Sequence, residues 1–150
     1  MENMKLKLKN FRCYLDKEFD FGEHGLLLLS GPSGTGKSSI LLAINFVLYG
    51  TGSKLITYGK SSCKVELEFE DFHIVRTKRP NRVVLNGVHE DATAQAMINE
   101  KFGKTFNVTG YIAQNALNSF VLMSPIEKLG FLEKFAFADA DLGALKAKVR

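Results

Sequence analysis

The sequence predicts an α/β domain in which a largely buried helix lies against a mixed or antiparallel β-layer. Three stretches carry that prediction. "GLLLLSG" (25–31) is an apolar run between glycines, too short for a helix, and reads as a strand buried on both faces. From Lys37 to Tyr49 the residues Ile40, Leu41, Ile44, Val47 and Leu48 recur at helical spacing, and Gly50 and Gly52 stand where a helix stops. That helix is apolar nearly all round, so it is expected inside a layered structure. "CKVELEFED" (63–71) alternates, setting Val65, Leu67 and Phe69 against Lys64, Glu66, Glu68 and Glu70.

The other elements follow in order. "KLKLKNF" (5–11) alternates basic and apolar residues, the pattern of a half-exposed strand, and "KEFDF" (17–21) puts Phe19 and Phe21 on one face. "FHIVRTKRP" and "RVVLNGV" extend the β-layer, with Asn86-Gly87 as a hairpin turn. A helix is expected over 92–102, with Asp91 as its cap and Gly103 as its stop. In "SPIEKLGFLEKFAF" Ser124 caps a helix, Pro125 suits its first position and Glu127 completes a capping box. Beyond it, Phe135, Ala138, Leu142, Leu145 and Val149 form a short heptad seam, which fits a coiled coil and an ordinary amphipathic helix equally well.

The chain has 150 residues, 45% hydrophobic and 24% charged, as befits one globular domain or one lobe of a larger one. Cys13 and Cys63 show no CxxC spacing, which argues against a zinc site or a disulfide framework and suits a reducing compartment. His24, His73 and His89 are scattered. No apolar run approaches the ~20 residues of a membrane helix, and the first ten residues lack a secretion signal's apolar core. A cytoplasmic or nuclear protein is expected. The net charge of +4 leans mildly towards an anionic partner.

Gly31-Pro-Ser-Gly-Thr-Gly36-Lys37-Ser38 matches G-x-x-x-x-G-K-S/T, the P-loop, and stands between the predicted strand and helix. Glycines let backbone N–H groups approach phosphate oxygens, and the following helix points its positive end at them. Ser33, Gly34, Thr35 and Gly36 supply the cradle, Lys37 reaches the β- and γ-phosphates, Ser38 ligates Mg²⁺, and Ser39 bonds the α-phosphate.

"KLKNFRCY", "GPSGTGKSSILLAINFVLYG", "ITYG" (56–59), "YIAQ" (111–114) and "LMSPIEKLGFLEKFAF" together resemble the N-terminal head lobe of the SMC and SbcC-type ATPases. These are coiled-coil members of the ABC superfamily that act on DNA ends and chromosomes. The resemblance implies ATP and Mg²⁺ as cofactors, Arg12 on the phosphates, and Ile56, Thr57 and Tyr58 near the base. Gln114 would be the Q-loop residue that ligates Mg²⁺ and positions the attacking water, so that Lys37 and Gln114 are the catalytic pair. Members usually carry Asn where this chain has Ser33. The family's general-base Glu and signature loop lie in a second lobe, reached after a coiled coil, and nothing after Gln114 resembles them. On this reading residues 1–137 are the head lobe and 138–150 begin the coiled coil. Full hydrolysis then needs the C-terminal lobe.

The implied function is an ATPase head for DNA repair or chromosome maintenance. Its implied partners are its own C-terminal lobe, a second copy of the head, DNA and a nuclease subunit, with no membrane. A transport-type ABC ATPase subunit is the alternative. Arg76, Lys78, Arg79 and Arg82 cluster in "RTKRPNR" and are candidate DNA contacts, although such a cluster also serves as a charged strand edge that discourages aggregation.

Overall fold

The alternating segments pair as the pattern demands. The computed structural model describes residues 3–22, 25–103, 106, 110–112, 120 and 123–136, the last three as backbone only. Strands β1 (Lys5–Phe11), β2 (Tyr14–Asp20), β3 (Cys63–Phe69), β4 (Phe72–Lys78), β5 (Arg82–Leu85) and β6 (His89–Glu90) form one sheet in the order β2-β1-β3-β4-β5-β6. Every pairing between them is antiparallel. Register lines up Leu6, Leu67, Ile74 and Leu85 as one buried row across four strands. Each such side chain contributes about 1.5–3 kcal/mol by leaving water. The neighbouring row reads Leu8, Val65, Arg76, Val83, so an arginine stands on the core face.

The opposite face neutralises itself. Lys5 faces Asp20, and Lys7 lies within ion-pair reach of Glu18 and Glu68. Glu66 pairs with Lys64 and His73; burial pushes its carboxyl up, but these two partners more than offset that and hold it below its ordinary range. The basic first strand is therefore matched by acidic neighbours on both sides.

Helix α1 (Lys37–Tyr49) lies on the core face against β1, β3 and β4, burying Ile40, Ala43, Phe46, Val47 and Leu48. Gly50 ends it in the left-handed region at φ 70°, its N–H donating to the Phe46 carbonyl at 2.7 Å. Helix α2 (Asp91–Phe102) adds Ala94 and Ile98 to the core. Asp91 is its first residue rather than its cap. Glu90 holds the cap position without a side-chain bond, while the Asp91 carboxylate accepts the Val83 N–H. Asn86 and Gly87 both have positive φ, as the expected hairpin turn requires.

One expected element does not form. Residues 26–32 have no regular secondary structure, and Leu26 and Leu28 are 93% and 87% exposed. A strand buried on both faces needs backbone partners at its edges and cover above and below. Among the described residues the six strands bond only to one another, and none of them pairs with this segment. For the same reason α1 is not buried all round; Leu41 stays 46% exposed.

The chain divides into two compact units, Met1–Gly103 and Lys104–Arg150. The second contains α3 (Pro125–Ala136). Its capping box closes reciprocally: the Ser124 N–H donates to Glu127 Oε2 at 2.8 Å, and the Glu127 N–H to Ser124 Oγ at 3.4 Å. Phe120 and Phe131 pack with ring centroids 5.5 Å apart. The heptad seam lies outside the described residues except Phe135, whose side chain is not described.

Candidate nucleotide-binding site

Two segments meet at the N-terminal end of α1, and a third is fastened to one of them. The loop 31–36 enters it with Gly31, Gly34 and Gly36 at φ 147°, 83° and 94°. An added Cβ at Gly36 would lie 2.6 Å from the Tyr14 hydroxyl and 2.7 Å from Cys13 Sγ, so this position has neither the dihedral nor the room for a side chain. Within the loop Thr35 Oγ1 donates to the Pro32 carbonyl at 2.9 Å. Lys37 Nζ donates to the Gly31 and Pro32 carbonyls at 2.7 and 2.6 Å, which folds the ammonium back over the loop. Ser33, Gly34, Thr35 and Ser38 are exposed and Ser39 is half-buried.

The β1–β2 turn brings Arg12, exposed and at φ 53°, and Tyr14, whose hydroxyl donates to the Thr35 carbonyl at 3.4 Å. Partial burial and the neighbouring Cys13 raise the Tyr14 phenol above its ordinary value, so it stays a donor near neutrality. Residues 55–58 are fastened beside that turn. The Arg12 N–H donates to the Leu55 carbonyl at 2.7 Å, the Thr57 N–H to the Asn10 carbonyl at 2.9 Å, and Phe11 bridges Ile56. Tyr58 projects fully into solvent. The β1–β2 turn thus touches the exposed loop through Cys13 and Tyr14, with residues 55–58 fastened to that turn.

The fit to a nucleotide's phosphates rests on the helix end itself. No side chain caps α1 at Gly36, and its first turn carries no acidic residue. The positive end of the backbone dipole is left open beneath a glycine-lined loop, which suits a polyphosphate. Among the described residues no cluster of three or more His, Cys, Asp or Glu could hold a metal by itself, so a cation here would depend on Ser38 and on the phosphates. Gln114 lies outside the described residues. The loop contacts of Cys13 and Tyr14 are not legible in the sequence, because nothing in a strand-turn-strand pattern announces a meeting with the loop that precedes α1.

The basic cluster separates. Arg76 turns inward; its Nε donates to the Val47 carbonyl at 2.8 Å and its Nη2 to the Leu48 carbonyl and Gln95 Oε1 at 3.1 and 2.5 Å. Burial lowers its guanidinium to about 10, against a weaker opposing pull from Asp91. Arg82 pairs with Glu90 at 2.5 Å, and Arg79 is exposed at the β4–β5 turn.

This geometry has a counterpart among known sequences: the AAA domain family AAA_23 matches residues 5–134. The chain belongs to that family, among the SMC/SbcC-type ATPases. Uncharacterized protein 094L of Invertebrate iridescent virus 3 is 43% identical to it over 98% of the chain and 17% of its own length. The DNA double-strand break repair Rad50 ATPase of Methanocaldococcus jannaschii is 32% identical over 90% of the chain and 15% of its own length. A solved structure from work on ATP-driven dimerization and DNA-stimulated activation of SMC ATPases superposes with a TM-score of 0.65. It covers 87% of this chain and 97% of that one at 23% identity, which shows a shared fold. The AAA domain described here thus spans less than a fifth of these longer relatives' sequences. Among its described residues no helix is long and apolar enough to cross a membrane.

Proposed function

We propose that this chain is the nucleotide-binding lobe of an ATPase head of a DNA-repair or chromosome-maintenance machine, working inside the cell. The open, glycine-lined N-terminus of α1 carries this reading. Lys37 already spans the loop on two carbonyls, so exchanging them for β- and γ-phosphate oxygens needs only a small movement of its ammonium. Arg12 is the proposed second cation, carried on the turn whose Tyr14 hydroxyl donates to the Thr35 carbonyl of the loop. Ile56 and Thr57 set the height of Tyr58, whose free ring is offered to an adenine. Ser38 and Gln114 are the proposed ligands of Mg²⁺, which when bound offsets the charge between β- and γ-phosphates.

The uncovered Leu26–Leu28 segment argues for a further polypeptide segment that pairs with it. A C-terminal head lobe, supplying the general-base carboxylate and signature loop, is the proposed occupant, and a second head is proposed to close over the nucleotide. The expected layout keeps 1–137 as lobe and 138–150 as the start of a coiled coil. Lys78, Arg79 and Arg82 are the proposed DNA contacts; Arg76 suits that role least, because its Nε and Nη2 are committed to helix carbonyls and Gln95. A nuclease subunit is the proposed partner in end processing.

Calorimetry of the chain reunited with its C-terminal half tests the core of this reading. Saturable heat on adding MgATP, lost in Lys37→Ala, is expected. No heat from well-folded material overturns it.

A further inference from the structure

At the other end of α1 a cleft of about 510 Å³ opens between that helix, the β4–β5 hairpin and the start of α2. Its size is that of a small-ligand site. Its lining includes Arg76, Lys78 and Arg82, the polar Thr77 and Gln95, and one carboxylate, Asp91. Cations outnumber the carboxylate three to one along these walls.

Arg76 is the unusual member. Its three bonds use Nε and Nη2, and Nη1 has no acceptor among the described residues. Among the described residues no carboxylate stands within ion-pair reach of it, and Asp91, which acts on it from farther off, is already bonded to the Val83 N–H. Two helix carbonyls and an amide oxygen are partial charges, so a part-buried cation is left without a full counter-charge, an arrangement that costs free energy until an anion supplies one. Its fork is held rigid, which lowers the entropy cost of meeting a ligand. Gly50 is needed for that approach, since an added Cβ there would lie 3.1 Å from Nη1.

We propose that this cleft binds a terminal phosphate dianion, held by Arg76 Nη1 at its base and by Lys78 and Arg82 at its walls. A group with three free oxygens can meet three separately mounted donors at once, and its second charge answers the surplus of cations. Arg82 would exchange its bond to Glu90 for one to phosphate. Occupancy would be felt at α1 through the Val47 and Leu48 carbonyls. A free phosphate and the phosphate that ends a nucleic-acid strand offer the same chemistry. The inference does not rest on nucleotide binding at the P-loop.

The test is a phosphate titration followed by ¹H–¹⁵N NMR on the full chain carrying Lys37→Ala, which removes the P-loop's main anchor. Saturable shifts are expected at the Gly50, Thr77 and Gln95 amides. Lys78→Gln at a half-buried position and Arg82→Gln at an exposed one should each weaken binding on the order of tenfold at low salt while leaving the remaining spectrum in place. Oligonucleotides with a 5′-phosphate or a 5′-hydroxyl separate the sources. Preference for the phosphorylated strand assigns a strand end, and a response to inorganic phosphate alone assigns a small molecule; either upholds the site. Two oligonucleotides that bind equally with no response to inorganic phosphate overturn it, as do cleft shifts indifferent to both substitutions.

Discussion

The two ends of α1 are built from opposite logic. At its C-terminus the carbonyls are gathered up: Phe46 by the Gly50 N–H, Val47 by Arg76, and Leu48 by both Arg76 and Gln95. At its N-terminus no side chain caps the helix, the loop is exposed, and the nearest cation is tethered to loop carbonyls it can exchange. A helix end that is satisfied by its own protein adds stability; one left open is available to a ligand. The contrast locates the proposed chemistry at one end and the rigidity that supports it at the other.

Substitutions at the two ends should therefore fail in different ways. The largest effect is expected from Lys37→Ala, which should weaken MgATP binding on the order of 10²-fold in calorimetry yet shift the ligand-free Tm little. A large drop in ligand-free Tm would mean that the loop is structural and would break the contrast. Arg76→Ala should do the reverse, destabilising the Met1–Gly103 unit by about 2–3 kcal/mol in denaturant unfolding, because the Val47 carbonyl and Gln95 Oε1 lose their donor. Gly36→Ala should cost both, through its dihedral and through collision with Tyr14 and Cys13, at about 1–3 kcal/mol of stability. Adding Tyr14→Ala should recover part of the collision but none of the dihedral, and full recovery would show that φ is not limiting.

The smallest effect sharpens the contrast with a helix capped by its own side chains. Ser124→Ala should destabilise α3 by ~1 kcal/mol. The bonds with Ser124 hold the Glu127 carboxyl below its ordinary 4.5. Its contribution is therefore complete above that value and fades as pH falls through the lowered one, so circular dichroism of acid unfolding should show wild type losing its advantage over Glu127→Ala. An advantage that persists unchanged into strong acid would leave the box without a charged partner.

Local rules reached much of this molecule. Alternation in Lys5–Phe11 and Cys63–Phe69 and the punctuation at Gly50, Asn86-Gly87, Gly103 and Ser124 mark elements whose physics is contained in a few neighbouring residues. The glycine-rich turn entering α1 was legible because its glycines recur at a fixed spacing and take positive φ. Leu26–Leu28 was misread for the opposite reason: strand-like composition is only half of a strand, and the partner lies elsewhere.

What the sequence by itself determined is therefore most of the elements, the turn chemistry and the glycine-rich loop before α1, since each depends on periodicity or on glycine's freedom at a fixed spacing. Tertiary structure alone decided that Arg76 serves a helix end and lines a cleft, that Cys13 and Tyr14 press on Gly36, and that residues 55–58 sit beside Arg12. Those are meetings between distant segments. They depend on register and packing, and no local pattern encodes which residue will stand opposite which.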